Sequence, residues 1–211
     1  MMIAPVLAVR RVLARFRRDE RAVAAVEFAL IVPFLITLYL GSIEAATLFT
    51  VDKRINSISA TIGDLVGQWD PDDGEIETAD LDNYMDASTG ILAPYSTEGI
   101  EMIVSLVKVD TDTGDTTVLW SRANSGTTPK TENDPYPDLA ATSQMNILSR
   151  GGCVIAAEVT YSYKPLLGVV FKTSITFKHT NYFLPRYGSS SPIKVEDGPA
   201  SMDDNATACT A

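Results

Sequence analysis

Apolar positions form one dense block near the start of the chain and thin to a periodic stripe after it. From Ala22 to Ile43 the sequence reads AVAAVEFALIVPFLITLYLGSI, and Glu27 is the single charge in it. At about 1.5 Å per helical residue this block covers the roughly 30 Å of a bilayer's hydrocarbon core, which predicts a transmembrane helix over 22–43. Pro33 removes one helical hydrogen bond and predicts a bend that membrane helices tolerate. Past Glu44 come Leu48, Val51, Ile55, Ile58, Ile62, Leu65 and Trp69, spaced by alternating threes and fours. That spacing is one apolar stripe on a helix. Asp52, Lys53, Asn56, Ser59 and Asp64 fall off the stripe, so the span is expected to continue as an amphipathic helix over 44–69. Two surfaces could receive such a stripe: a sheet of the same chain, or the helices of other subunits.

Downstream the period changes. Trp69-Asp-Pro-Asp-Asp-Gly74 stops the helix, and Thr78 to Ala93 predicts a short second helix with Thr78 as its N-cap. Ile100 to Val109 alternates and is rich in Ile and Val, Asp110 to Asp115 is a turn, and Thr116 to Arg122 returns as the second half of a hairpin. Ala123 to Asp138 holds Pro129, Pro135 and Pro137 and reads as a long exposed loop, with a helical turn expected within Leu139 to Leu148. Cys153 to Tyr163 and Val169 to His179 alternate again and predict the third and fourth strands. The fold class is therefore α+β: a long N-terminal helix, transmembrane then amphipathic, packed on a four-stranded antiparallel sheet. The domain carrying the sheet is expected over 70–187, and residues 188–211, poor in apolar side chains, as a flexible tail.

Charge orients this plan. Residues 1–21 contain Arg10, Arg11, Arg15, Arg17, Arg18 and Arg21, a basic leader that holds the N-terminus in the cytoplasm and meets anionic lipid. The rest of the chain carries the acidic excess that brings the net charge to −10. A surface so acidic repels phosphate backbones, which excludes a nucleic-acid partner. Cys153 and Cys209 then lie on the oxidising side and are either a disulfide tying the tail to the body or two unrelated thiols. The acidic run around Asp70 to Glu77 lacks calcium-loop spacing, because its glycine comes one place early and no glutamate closes it. His179 is the one histidine and reads as a surface residue near a strand end, with no Ser/His/Asp or Cys/His pattern around it. No catalytic residue, metal ligand set or cofactor is expected, and the chain does not read as an enzyme. Glu27 stands apart: an ionised carboxylate within a bilayer costs several kcal/mol, so it marks a function unless it sits shallow enough to reach headgroups or Arg21.

The segment Ala24-Ala-Val-Glu27-Phe28-Ala-Leu30, Pro33, the apolar run to Leu40, Gly41 and Glu44 resembles the N-terminus of TadE-like pilus-assembly proteins of bacterial tight-adherence systems. APY at Ala93 to Tyr95, VLWSR, AEVTYSYKPLLG and YFLPRYG extend that resemblance along the chain. It implies a pilin-like subunit in the inner membrane, N-terminus cytoplasmic and C-terminal domain periplasmic, with or without entry into the pilus. Its partners would be other pilin-like subunits, the assembly platform, a prepilin peptidase and membrane lipid. The peptidase would cut between Ala22 and Val23, making Glu27 the fifth mature residue, paired with a neighbour's terminal amine. Phe28, Pro33 and the stripe would pack helices together. Alanine occupies position 22, where glycine is usual, which keeps open an uncleaved, membrane-anchored periplasmic binding domain for an envelope or surface component.

Overall fold

The computed structural model describes residues 20–70, 74–166, 168–187, 193–196 and 209. The basic leader up to position 19, Asp72 and Asp73 of the acidic turn and most of the tail lie outside the described residues. In chain order the elements are helix α1 (Glu20–Gly67), helix α2 (Thr78–Thr89, continued by a 3-10 turn, Gly90–Leu92), strands β1 (Glu101–Val109) and β2 (Thr116–Ala123), helix α3 (Gln144–Leu148), and strands β3 (Cys153–Tyr163) and β4 (Ile175–Phe183). The chain divides into two compact units, Met1–Thr47 with Pro165–Thr173, and Leu48–Lys164 with Ser174–Ala211. The sheet domain expected over 70–187 thus takes in the helix from Leu48 and gives up residues 165–173.

In the larger unit the sheet order is β2-β1-β3-β4, with every neighbouring pair antiparallel. The β1–β2 hairpin turns where the Asp110 carboxylate accepts the amides of Asp112 and Thr113 at 2.9 and 2.8 Å and Gly114 takes a φ of 74°. This local capping is why aspartate and glycine favour turns. The register slips between Leu106 and Val107, pairing Leu106 with Trp120 and Val107 with Val118, a bulge that raises local twist.

One face of the sheet receives α1. Val51, Ile55, Ile58, Ile62 and Val66 are buried with Met102, Val104, Leu106, Trp120, Ile155 and Val159 in one core. The stripe therefore packs on the chain's own sheet. Leu65, expected on it, is only half-buried, and Val66 holds the buried place one position later. The opposite face has a second core, Val107, Val109, Val118, Val154 and Ala156, covered by Tyr136 and Leu139. The segment read as an exposed loop thus closes the sheet from below. It also runs along the outer edge of β2, where Asp134 accepts the Val118 amide at 3.0 Å and the Tyr136 amide donates to Thr116 at 3.1 Å. An edge covered this way is protected from pairing with other chains.

Three further expectations change. Thr78 is the first residue of α2; Glu77 is the N-cap and makes no side-chain capping bond. The fourth strand begins at Ile175, six residues later than the alternation indicates, because Val169 to Phe171 turn their amides to Glu44. The tail is anchored where it is described: Ile193 and Val195 are buried, the Ile76 amide donates to Lys194 at 2.8 Å, and the Trp120 indole donates to the Ile193 carbonyl at 2.7 Å. Cys209 is buried and disulfide-bonded to Cys153.

Candidate functional site

The first turns of α1 carry the residues singled out for processing and assembly. Ala22 enters as helix backbone, while Val23, Glu27 and Phe28 are exposed on the helix. Around Glu27, Val26, Phe28 and Leu30 are 61%, 68% and 75% exposed. The same holds along the segment through Phe34, Leu38 and Tyr39. So much bare apolar surface on one helix is out of place in water and matches a hydrocarbon surrounding. Pro33 is accommodated inside the helix, and the Thr37 hydroxyl donates to its carbonyl at 2.9 Å. Of the residues expected to pack helices together, Phe28 and Pro33 face outward, whereas Leu48, Val51, Ile55, Ile58 and Ile62 are buried in their own domain.

A second carboxylate on α1 has a defined role. Glu44 is buried, its carboxylate accepting the amides of Val169 at 2.7 Å, Val170 at 2.9 Å and Phe171 at 3.1 Å. Burial alone pushes its pKa up, but the amides of Val169, Val170, Phe171 and Gly168 outweigh this and hold it below the ordinary glutamate value. Val170 lies against Gly41, where a Cβ would come within 3.0 Å of its Cγ2. The sequence signal was an acid at the far end of an apolar helix; its partners, 125 residues downstream, gave none.

In the sheet domain, the polar positions of α1 meet β4 and the segment after it. His179 Nε2 and Asp52 Oδ1 are 2.7 Å apart, the Asn181 amide donates to Asn56 Oδ1 and Ser59 Oγ at 3.0 and 3.1 Å, and Arg186 pairs with Asp64. Ser59 is fully buried and donates to the Ala157 carbonyl at 2.6 Å. His179 is thus mid-strand in a helix–sheet contact and not a free strand-end side chain. These bonds set the register of the helix on the sheet, since buried polar groups left without partners are costly.

On the other face, Glu158 is buried, accepting from the Tyr136 hydroxyl at 2.8 Å and pairing with Lys130 at 3.2 Å and Lys178 at 3.4 Å. Burial first, then the nearby carboxylate, pushes the Tyr136 hydroxyl far up. Burial lowers the Lys178 ammonium, but Glu158 and Asp138 outweigh it and raise its pKa. Each of these groups is engaged by another, so the cluster fastens the covering segment and offers no unpartnered acid or base.

The TadE-like protein family matches residues 22–61. That stretch is the exposed apolar helix with Glu27, Glu44 and the first half of the buried stripe. No curated protein and no solved structure matches the chain. The likeness suggests association with a tight-adherence pilus, and the described residues include one N-terminal helix long and apolar enough to cross a membrane.

Proposed function

We propose that this chain is a minor pilin-like subunit or assembly factor of a tight-adherence pilus, held in the bacterial inner membrane with its N-terminus cytoplasmic and its sheet domain periplasmic. The observation that carries the reading is the TadE-like stretch itself: Glu27 lies in a lipid-length helix whose apolar side chains are bare. A carboxylate there is costly unless a cation meets it, and the new amine of a processed neighbour would supply one. Its partners are other pilin-like subunits and the assembly platform, with prepilin peptidase cutting after Ala22. The function is binding and assembly, not catalysis. In support, the lone histidine is engaged with Asp52 and the Glu158 cluster is closed on itself.

The test is the N-terminal residue and intact mass of the protein from its native membrane, with and without the peptidase. Val23 as the new terminus is expected. Glu27→Gln is expected to leave membrane insertion intact and abolish incorporation into the assembly. An unprocessed chain in both samples, together with a silent Glu27→Gln, would overturn the reading. That pair of results would favour an uncleaved, membrane-anchored binding domain, which Ala22 at the cleavage position supports.

A further inference from the structure

The segment Pro165–Thr173, between β3 and β4, belongs to the same compact unit as the apolar half of α1. Its polar and apolar atoms are turned opposite to the usual way for a surface loop. Leu166 is 91% exposed and Val170 51%, with Val169 also exposed, while three successive amides are turned in to the buried Glu44 carboxylate. In water these amides would find solvent partners and the side chains would turn inward. At a hydrocarbon boundary the requirement reverses: every backbone donor needs an internal acceptor, and apolar side chains are free to face out.

The position along the helix agrees. At about 1.5 Å per residue, Glu44 stands about 30 Å beyond Val23, one hydrocarbon thickness along α1. Val170 and Phe171 line an apolar groove with Phe34, Leu38, Gly41 and Ala45, so the bare face of the helix continues without a break onto the loop. Lys172 is exposed beside it, and Lys164 precedes the segment in sequence. Lysines at the ends of an apolar segment suit a headgroup layer.

We propose that Leu166, Val169 and Val170 form a second membrane contact, inserted into the boundary of the leaflet from which α1 emerges, with Glu44 as the clamp that satisfies the inserted backbone. The occupant of this surface is lipid. The inference rests on α1 crossing the membrane, and the experiment separates the two.

The full chain is reconstituted in vesicles of phosphatidylethanolamine and phosphatidylglycerol, with an environment-sensitive dye on a single introduced cysteine in Val170→Cys, Phe34→Cys or Leu148→Cys, the native disulfide being retained. At Val170 the dye is expected to shift to the blue, to be quenched by lipid-borne nitroxide and to be shielded from aqueous iodide; at Leu148, exposed in the sheet domain, the reverse. Adding Glu44→Ala should abolish lipid quenching at Val170 and leave it at Phe34. Iodide access at Val170 equal to that at Leu148, with Phe34 still quenched by lipid, overturns the loop contact alone. Shielding from iodide without lipid quenching means that protein covers the loop and overturns it too. Loss of lipid quenching at Phe34 removes the spanning helix and this inference with it.

Discussion

Gly63 and Gly67 lie one turn apart on the side of α1 that meets the sheet, and alanine at the two positions should have different consequences. A Cβ at Gly63 would run into the Phe183 ring and stand 3.3 Å from Ala157 Cβ. At Gly67 the nearest atoms are Ile155 Cδ1 at 3.6 Å, the Leu184 carbonyl oxygen at 3.7 Å and Phe183 Cβ at 3.8 Å, ordinary contacts. Helix propensity favours alanine over glycine by up to about 1 kcal/mol in a helix interior, and by less at Gly67, the last residue of α1. Overpacking at Gly63 costs about 1–3 kcal/mol because the ring or the helix must give way. The net expectation is a loss of about 1 kcal/mol for Gly63→Ala and neutrality or a slight gain for Gly67→Ala.

Urea unfolding of the full chain in detergent, followed by tryptophan fluorescence, reads this domain through Trp120, which is 2% exposed in its core. A double-mutant cycle with Phe183→Ala assigns the cause. Deleting the ring should remove most of the Gly63→Ala penalty, giving a coupling of about 1 kcal/mol or more. Equal stabilities for the two alanine variants, or an additive cycle, would refute the close approach of α1 to β4 at Gly63.

Two other predictions concern the clamp and the tail. The folded Glu44 carboxyl titrates below its ordinary value of 4.5, so its contribution is full above that value and is lost as pH falls through the lower folded pKa. The protection of the Val169, Val170 and Phe171 amides relative to β3 amides, a ratio in which the intrinsic slowing of exchange in acid cancels, should fall on acidification in the native chain and show no such step in Glu44→Gln; an identical acid step in the variant would rule the clamp out. Reducing the Cys153–Cys209 bond, which closes a separation of 56 residues, should cost about 2–4 kcal/mol of domain stability through the unfolded chain's regained freedom. Unfolding with and without reductant measures it, and identical curves would show that the tail contributes nothing through this bond.

Where one physical signal dominated, the sequence could be read. The run from Ala22 to Ile43 is long and apolar enough to carry Pro33 and Gly41, the stripe from Leu48 onward is periodic, and α1 forms over both. Cys153 to Tyr163 alternates over a whole strand, and β3 occupies those residues. The misreadings share a cause, which is that an apolar residue does not announce its partner. Val169 and Phe171 alternate as a strand would, yet their amides are taken by Glu44, and no local rule weighs a carboxylate 125 residues away. Tyr136 and Leu139 stand among prolines and polar residues, so a turn-rich composition hid two side chains that close a core. His179 looked like a surface residue because pairing to Asp52 requires knowing which strand lies under α1.

On the proposed function as a pilin-like subunit, the buried stripe narrows how neighbours can meet. Val51, Ile55, Ile58, Ile62 and Val66 are each 1% exposed or less. Pulling them off the sheet to form an interhelical seam would expose side chains worth about 1.5–3 kcal/mol each, a total comparable with the 5–15 kcal/mol that holds a whole domain folded. Association through that stripe would therefore unfold what it joins. Bare apolar helix surface is left for neighbours from Val23 to Ile43, where lipid is as apolar as the side chains and gives no hydrophobic gain on helix contact. Packing there depends on close approach at small residues, and Ala24, Ala25 and Ala29 flank Glu27. With dispersion alone to gain from them, the charge on Glu27 becomes the term that can select one neighbour and one register over others. On the proposed function, neutralising that one carboxylate in Glu27→Gln should thus abolish incorporation into the assembly without touching the fold of the domain.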